Sequence, residues 1–376
     1  MRVIFTCGGT AGHINPAIAV ARMVLERRPG SEILFVGAEG AMETNLVPRE
    51  GFPIETVRIG SFARGLSPKA FKHNAEVFFM RRKALKRSKE IIESFKPDVV
   101  VGTGGFASYP AVAAAQKMGI PTAIHESNVK PGLTTSVLAK KADKIMVGFA
   151  EAAEHYKNPE RTVVTGTPVR EEFIFGNREK ARKSMGISPE EKVVVSYWGS
   201  LGAREMNRAI AKVMRFECDD GAKFRHIHST GSFGWKWMPD MMKELGVDLE
   251  KQKSIDMREY IYNMPEATCA ADLMVCRGGA STLSELIAAA KPSIIIPSPN
   301  VAENHQEANA RALESAGGAV VIVEKDCTPE LLYKTRSELL SDKERLATMS
   351  EALRSRAVLD ATSRIYDTIC ELAERK

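Results

Sequence analysis

Apolar residues are grouped along this chain in short continuous runs, most of which end in a glycine-containing loop. The runs VVV at 99–101 and VVV at 193–195 predict strands that are buried on both faces, as is typical of parallel sheets. Similar runs predict strands at EILFVGA, IPTAIHES, KIMVGF, TVVTG, SIIIPS and GAVVIV. Segments with helical periodicity lie between most of them. The pattern therefore predicts an α/β protein.

A unit of strand, glycine loop and helix occurs four times, twice in each half of the chain. The loops contain GGTAGH at 8–13, GTGG at 102–105, WGSLG at 198–202 and RGGAS at 277–281. This repetition predicts two doubly wound, Rossmann-like domains with parallel sheets that face each other across a cleft. TGTP at 165–168 marks the expected boundary, with domains at 1–168 and 169–355 and a last helix, about 356–376, packing back on the first domain.

Composition narrows the class of protein. The 376 residues are enough for two cores, and an apolar content of 44% with a charged content of 27% is ordinary for a soluble globular protein. Six cysteines without a C-x-x-C pair argue against a zinc site and a disulfide framework, and they fit a reducing cytoplasm. No apolar stretch approaches the roughly 20 residues of a membrane span, and the N-terminal run is too short for a signal peptide.

The glycine loops have the features of phosphate sites. Glycine lets the backbone approach a ligand closely, and the helix that follows offers free N–H groups to an anion. The chain contains no G-x-x-x-x-G-K-[ST] and no D-x-D, and its first loop does not match G-x-G-x-x-G. We therefore expect a diphosphate held by helix N-termini and basic side chains, without a bound metal ion.

Two loops carry groups that can react or bind a sugar. His13 lies in the first loop, where Asn15 predicts a helix N-cap and Pro16 the first helical position. Glu285 is predicted in the first turn of a helix after GGAS, where a carboxylate can accept two hydrogen bonds from a ribose diol. Each has a simpler interpretation: a surface histidine in a tight turn, and a charge that stabilises a helix N-terminus by roughly 0.3–1 kcal/mol.

Seven motifs together resemble the MurG family of bacterial glycosyltransferases over nearly the whole chain. They are GGTAGHINP, GTGGFASYPAVAAA, HESNVKPGLT, GTPVR, GSLGAR, CRGGASTLSE and ENHQEANA. The resemblance implies the two-domain GT-B fold and inverting transfer of N-acetylglucosamine from UDP-N-acetylglucosamine to the 4-hydroxyl of N-acetylmuramoyl-pentapeptide-pyrophosphoryl-undecaprenol. It also implies a role in peptidoglycan synthesis, cell shape and cell division, and a peripheral location on the cytoplasmic face of the cell membrane.

The resemblance also implies roles for particular residues. In the second domain, the backbone of Ile261 would contact uracil, Arg170 and Ser200 the diphosphate, Glu285 the ribose, and Gln306 the sugar hydroxyls. The loop before Glu285 would line the donor site with Ala280, Ser281, Thr282, Leu283 and Ser284. In the first domain, the residues facing the transferred sugar or the acceptor would be Thr10, Ala11, Gly12 and Asn128. Departures from the family pattern stand at Ala11, Leu201 and His305.

Inverting transfer needs a base for the acceptor hydroxyl, and His13 is the candidate. An imidazole titrates near neutral pH and can accept this proton. The alternative is that His13 only binds or orients the acceptor and its pyrophosphate. We expect no cofactor, no bound metal and no nucleic-acid partner, because the donor and the lipid acceptor account for the motifs.

The segment 67–95 predicts a basic amphipathic helix. Between 69 and 92, eight residues are Lys or Arg and two are Glu. A helical projection gathers one broad apolar band from Phe71, Val77, Phe78, Met80, Ala84, Leu85, Ile91 and Ile92. Phe79 lies on the other side, among cations that include Arg82, Lys83 and Lys86, and this arrangement predicts docking on an anionic inner membrane surface. A core-packing helix with a solvated basic face fits the pattern as well.

The sequence is also compatible with three other functions. An isomerase of the UDP-N-acetylglucosamine 2-epimerase type would share the fold but would need neither an acceptor nor a membrane. A transferase could act on another lipid, such as diacylglycerol. A nucleotide-binding regulator without catalysis is disfavoured because the loops of both domains keep reactive polar groups.

Overall fold

The computed structural model describes residues 1–60, 67–221 and 224–375, with the backbone alone for 68–71, 75, 78 and 302. The chain divides into two compact units. The N-terminal unit comprises Met1–Pro168 and Asp360–Lys376, and the C-terminal unit comprises Val169–Leu359. The chain thus returns to the N-terminal unit at residue 360, slightly later than the position near 356 that the sequence suggests.

The strands of the described residues are β1 (Arg2–Thr6), β2 (Glu32–Ala38), β3 (Ile54–Val57), β4 (Val99–Gly102), β5 (Thr122–Glu126), β6 (Lys144–Val147), β7 (Thr162–Val164), β8 (Lys192–Tyr197), β9 (Phe224–Ser229), β10 (Ile255–Arg258), β11 (Leu273–Cys276), β12 (Ser293–Ile295) and β13 (Ala319–Val321). The α-helices are α1 (Ala11–Arg27), α2 (Glu43–Arg49), α3 (Pro68–Phe95), α4 (Ser108–Met118), α5 (Leu133–Leu138), α6 (Glu171–Ile174), α7 (Arg178–Ser184), α8 (Arg204–Asp219), α9 (Gly231–Gly234), α10 (Met238–Glu244), α11 (Met264–Ala270), α12 (Ala280–Ala288), α13 (His305–Ser315), α14 (Pro329–Ser341), α15 (Lys343–Arg354) and α16 (Ala361–Ala373). Short 3₁₀ turns lie at Ala150–His155, Pro159–Arg161, Ala302–Asn304 and Glu324–Asp326.

The N-terminal unit contains a parallel sheet, which in the described residues has seven strands in the order β3-β2-β1-β4-β5-β6-β7. Its inner strand β1 is buried on both faces, as its apolar run predicts. Val3 and Phe5 belong to one core cluster with residues of α1 and α16. Ile4 belongs to another with residues of α3 and α4. The C-terminal helix therefore completes the core of the N-terminal unit.

The C-terminal unit contains a second parallel sheet, with six strands among the described residues in the order β10-β9-β8-β11-β12-β13. Val194, Leu273 and Ile294 from its central strands share one buried cluster with residues of α8, α10 and α14. In both units the strand order reverses beside the first strand, between β1 and β4 and between β8 and β11. Ligands of doubly wound sheets bind at the carboxyl ends of the strands that flank such a reversal.

The predicted α/β class with two parallel-sheet domains is confirmed, and every strand predicted from an apolar run is present. The strands β3, β9 and β10 lack such a run and were not predicted. In β9 the inward positions include His226 and His228, both fully buried, whose polar atoms are satisfied by hydrogen bonds. A strand that buries polar side chains gives no apolar signal in the sequence.

The start of α1 corrects the sequence interpretation. The helix begins at Ala11 with Thr10 as its N-cap, so Asn15 is not the cap and Pro16 lies inside the helix. Pro16 has no N–H to donate to the Gly12 carbonyl one turn earlier. The Thr103 hydroxyl donates a hydrogen bond to the adjacent His13 carbonyl at 2.7 Å. This earlier start places His13 in the first turn of α1 rather than in the loop before it.

Candidate active site

The two loops beside the strand reversal of the N-terminal unit are in direct contact. The loop after β1 contains Gly8 and Gly9, and the loop after β4 contains Gly104 and Gly105, with φ of 112° and 80°. A Cβ on Gly105 would lie 2.1 Å from the Gly8 carbonyl oxygen, and one on Gly104 would lie 2.7 Å from Cδ2 of His13. Positions 104 and 105 are therefore glycine because the backbone of the second loop packs closely against the first loop and the His13 ring.

The ring of His13 is held by its Nδ1 atom. Nδ1 lies 3.0 Å from the Gly8 carbonyl oxygen and 3.4 Å from the Thr10 hydroxyl. A carbonyl oxygen only accepts hydrogen bonds, so Nδ1 carries the proton and Nε2 of the neutral ring has a free lone pair. The ring is half-buried. This arrangement fits a histidine that accepts a proton at Nε2.

Asn128 is positioned by a buried carboxylate that the sequence did not single out. Glu126, at the end of β5, accepts hydrogen bonds from the Asn128 backbone N–H at 3.0 Å, from its side-chain amide at 2.9 Å and from the Gly132 N–H at 3.1 Å. The adjacent His125 contacts the Gly166 carbonyl oxygen through Nε2 at 2.9 Å. Burial lowers the pKa of His125, so this ring is neutral and structural.

In the C-terminal unit, Ser200 is exposed in the loop after β8. The loop closes on itself through a hydrogen bond from the Gly202 N–H to the Gly199 carbonyl at 3.1 Å, and the Ser200 carbonyl accepts one from the Ser232 N–H at 3.2 Å. A Cβ on Gly202 would lie 2.1 Å from the Thr230 carbonyl oxygen. The Ser200 hydroxyl is therefore presented by a tight loop that backbone hydrogen bonds hold in place.

A buried series of hydrogen-bonded polar side chains supports this loop from the interior of the C-terminal unit. It runs by hydrogen bonds through Arg336, Glu217, His226, Ser196, His228 and Asn207. The last member, Asn207, donates to the Thr230 carbonyl at 2.7 Å, next to Gly202. Burial lowers the pKa of His228 well below its usual range, and His226 lowers it further. No pattern in the sequence indicates this series of hydrogen bonds, because its members come from β8, β9, α8 and α14.

Glu285 lies one turn later than predicted. It is the sixth residue of α12, in the second turn, so it does not stabilise the helix N-terminus in the way the simpler interpretation supposed. Its carboxylate forms no hydrogen bond within the described part of the chain. Burial raises its pKa to about 7, and the Arg170 guanidinium opposes this rise. A partly buried carboxylate without a hydrogen-bond donor is a ready acceptor for ligand hydroxyls.

The remaining predicted donor residues also follow strands of this sheet. Ile261 comes after β10; its side chain is buried, and its backbone N–H and C=O are unpaired among the described residues. The amide oxygen of Gln306, in α13, accepts the Ser298 N–H at 2.9 Å, which leaves its NH₂ group to donate. The first turn of α12 contributes the N–H groups of Ala280, Ser281 and Thr282, while Leu283 is buried and the Ser284 hydroxyl donates to the Ala280 carbonyl.

The predicted residues divide between the two units, and those of each unit are called its group below. The N-terminal group is Thr10, Ala11, Gly12, His13 and Asn128. The C-terminal group is Arg170, Ser200, Ile261, Ala280, Ser281, Thr282, Leu283, Ser284, Glu285 and Gln306. Within the second group, Arg170 and Glu285 come into electrostatic range because α6 packs against α12.

The basic helix α3 exposes the residues that the projection placed outside the apolar band. Phe79 is 63% exposed, and Arg82, Lys83 and Lys86 are exposed as well. Buried members of the band are Val77, Ala84, Ile91 and Ile92. The side chains of Phe71 and Phe78, also assigned to the band, lie outside the described part. None of the helices in the described residues is both long and apolar enough to cross a membrane.

Sequence comparison assigns both units to one family of enzymes. Residues 3–147 match the glycosyltransferase family 28 N-terminal domain, and residues 193–365 match its C-terminal domain. A relative from Acetivibrio thermocellus is 42% identical over 377 residues, covering 100% of this chain and 99% of the relative. One from Ruminiclostridium cellulolyticum is 40% identical, covering 99% and 100%. Both are named UDP-N-acetylglucosamine--N-acetylmuramyl-(pentapeptide) pyrophosphoryl-undecaprenol N-acetylglucosamine transferase.

The chain belongs to the MurG family. Among solved structures, Acinetobacter baumannii MurG is 25% identical, with a TM-score of 0.78 over 98% of this chain and 99% of the other. The UDP-GlcNAc 2-epimerase from Neisseria meningitidis is 14% identical, with a TM-score of 0.66 over 99% of this chain and 100% of the other. The MurG family and the epimerases thus share a fold, and it is sequence identity that assigns this chain to the MurG family.

Proposed function

We propose that this chain transfers N-acetylglucosamine from UDP-N-acetylglucosamine to the 4-hydroxyl of N-acetylmuramoyl-pentapeptide-pyrophosphoryl-undecaprenol. The proposal rests on membership of the MurG family, because relatives that are named for this activity match 99–100% of the chain. The two groups of site residues support it. The N-terminal group contains a base, and the C-terminal group contains hydrogen-bond donors and acceptors suited to a nucleotide sugar.

In the proposed mechanism, His13 accepts the proton of the attacking hydroxyl at Nε2. The Gly8 carbonyl keeps the Nδ1 proton in place, so the lone pair at Nε2 is the available basic site. As the hydroxyl oxygen attacks the anomeric carbon, the bond from that carbon to the UDP oxygen breaks, and the configuration inverts. His13 then carries the proton as an imidazolium, which a general base near neutral pH can do.

The C-terminal group would hold the donor and its departing diphosphate. Glu285 would accept two hydrogen bonds from the ribose diol, and the unpaired backbone of Ile261 would pair with the uracil edge. Arg170, the Ser200 hydroxyl and the first N–H groups of α12 would stabilise the negative charge that develops on the diphosphate. These groups supply the positive potential that the leaving group needs, and we propose that no metal ion takes part.

Labelled UDP-N-acetylglucosamine, offered with and without the muramyl lipid, tests the activity. We expect the sugar label to enter the lipid fraction only when the muramyl lipid is present, with release of one UDP per transfer. Diacylglycerol serves as the control acceptor and should stay unlabelled. Conversion of the sugar without any acceptor would instead indicate the isomerase activity of the structurally similar epimerases.

We also propose that α3 docks the enzyme on the anionic inner face of the cell membrane, where its lipid acceptor would lie. The exposed Phe79 can insert between headgroups while Arg82, Lys83 and Lys86 contact anionic lipid. Each cation near such a surface adds roughly 1 kcal/mol to binding. The opposite face of α3 is buried in the unit, so docking needs no rearrangement of the core.

Reversing the charge at these three cations should abolish most membrane binding. The variant Arg82→Glu, Lys83→Glu, Lys86→Glu is expected to bind vesicles of anionic lipid about 100-fold more weakly, because roughly 1 kcal/mol is lost at each position. Co-sedimentation measures this. A control with the same change in net charge, Lys180→Glu, Lys183→Glu, Lys334→Glu, alters exposed lysines of the C-terminal unit and should bind nearly as the wild type does. Equal binding by both variants would contradict docking through α3.

A further inference from the structure

Glu43 is a fully buried carboxylate that the mechanism does not use. It is the first residue of α2 and is 0% exposed. Its Oε1 accepts the Ala38 N–H at 2.9 Å, and its Oε2 accepts the Gly9 N–H at 3.2 Å. Among the described residues it forms no ion pair with any cation. A buried charge without a counter-ion is costly, so its hydrogen bonds to backbone N–H groups carry its stabilisation.

The Gly9 N–H belongs to the same peptide group as the Gly8 carbonyl. That carbonyl contacts Nδ1 of His13 at 3.0 Å. One peptide group therefore joins the Glu43 carboxylate on its N–H side to the His13 ring on its C=O side. Hydrogen bonds arranged in series polarise one another, so the carboxylate strengthens the negative end of the peptide that faces the ring.

The space around Glu43 is shaped for this contact. A Cβ on Gly8 would lie 2.4 Å from Oε1 of Glu43, and a Cβ on Gly37 would lie 2.5 Å from its Cγ. Both residues have to be glycine for the carboxylate to reach the loop. The glycine at position 8 is thus explained by close packing against Glu43 and against the Cβ of Ala107, which would lie 2.6 Å away.

We propose that Glu43 is a positioning residue for His13 and acts through the Gly8–Gly9 peptide. It fixes the carbonyl that holds the Nδ1 proton, and it stabilises the imidazolium that forms when Nε2 takes the proton of the acceptor. No proton is transferred to Glu43. Its contribution to catalysis rests on the proposed function, in which His13 is the base, whereas its effect on the His13 ring does not depend on that function.

Other titratable groups also lie close to the His13 loop. His125, at the end of β5, interacts electrostatically with His13 and with Glu126, and Cys7 precedes the loop at the end of β1. The loop after β4 contributes no titratable side chain between Thr103 and Ala107. His125 is neutral, and burial together with the charge of Glu43 raises the pKa of Cys7, so that thiol stays protonated. Among the described residues, Glu43 is the carboxylate that one peptide group joins to the His13 ring.

The variant Glu43→Gln removes the charge and keeps the shape. We expect kcat to fall about 10-fold while the KM for UDP-N-acetylglucosamine stays within about twofold, because the residues predicted to bind its nucleotide lie in the C-terminal unit. The acidic limb of the pH profile of kcat should move to lower pH by about 0.5, since the imidazolium loses a stabilising charge. The control Glu39→Gln removes an exposed charge from the same connection and should leave both quantities unchanged.

A spectroscopic measurement separates this proposal from the proposed function. In protein with ¹⁵N-labelled histidine, the Nδ1 resonance of His13 should move in Glu43→Gln and stay in place in Glu39→Gln. In the His13→Ala background, Glu43→Gln should cause no further loss of kcat. A fall in kcat with an unmoved resonance and an unmoved pH limb would show that Glu43 only supports the fold, and thermal unfolding of each variant reports that effect separately. If His13→Ala kept full activity, His13 would not be the base. The Nδ1 resonance of His13 in Glu43→Gln would still show whether Glu43 acts on the His13 ring.

Discussion

His13→Ala should lower kcat by about 10³-fold while leaving the affinity for UDP-N-acetylglucosamine nearly unchanged, since a general base contributes roughly 10²–10⁴. The ring is held by the Gly8 carbonyl, at the strand reversal of the N-terminal unit, and the residues predicted to bind the nucleotide of the donor belong to the C-terminal unit. Removing the base therefore slows the chemical step without removing a predicted nucleotide contact. Single-turnover transfer and calorimetric binding of the donor measure the two quantities.

Two further variants sharpen this test. His13→Gln can still donate a hydrogen bond to the Gly8 carbonyl but offers no basic nitrogen, so it should be as slow as His13→Ala. His155→Ala removes an exposed histidine of the same unit and should behave as the wild type does. If His13→Ala weakened binding of the lipid acceptor and left single-turnover chemistry intact, His13 would be an acceptor-binding residue and not the base.

Binding of UDP-N-acetylglucosamine should strengthen as the pH rises through 7. The pKa of Glu285 is raised to about 7 in the free protein, and the carboxylate accepts both ribose hydroxyls only when it is ionised. Below this pH the donor has to displace a proton, so the apparent affinity should increase about tenfold between pH 6 and pH 8 and then level off. Calorimetry across this range, with the proton release measured in two buffers, checks the linkage.

Glu285→Gln should remove this pH dependence and weaken donor binding at pH 8 by about 10- to 100-fold, the range expected for hydrogen bonds to a charged group. The same change should stabilise the free protein. When the pKa of a carboxyl is higher in the folded state than in the unfolded state, the protein loses stability as the pH rises from the unfolded-state pKa to the folded-state pKa. Above pH 7 the glutamine should therefore increase the free energy of unfolding, by about 1 kcal/mol after allowance for partial exposure.

The exposed Glu330 supplies the control for both effects. It lies in the first turn of α14 in the same unit, and Glu330→Gln should change neither donor affinity nor its pH dependence. Urea unfolding at pH 5 and pH 8 completes the test, because the stabilisation by Glu285→Gln should be larger at pH 8. A donor affinity that did not respond to the substitution would remove Glu285 from the ribose site.

The chain's patterns predicted the fold class and the family, and family membership confirms the enzyme class. Errors arose at local boundaries. The helix α1 starts at Ala11 because Thr10 is extended, and the helix continues through Pro16 although this residue, in the second turn, has no N–H to donate to the Gly12 carbonyl. Glu285 lies in the second turn of α12 because the helix already starts at Ala280. Such boundaries depend on a few dihedral angles, which residue type constrains only weakly.

The sequence by itself determined the two parallel sheets, the four glycine loops and the residue types of the candidate site, because continuous apolar runs and glycine-to-helix junctions are local features. Only the tertiary structure decided which side chains support those loops. Glu43 reaches the Gly9 N–H, Glu126 holds Asn128, and Asn207 reaches the Thr230 carbonyl. For Glu43 and Asn207 the partner lies far away along the chain. A buried polar residue has to find its hydrogen-bond partner wherever packing places it, and no spacing in the sequence records where that is.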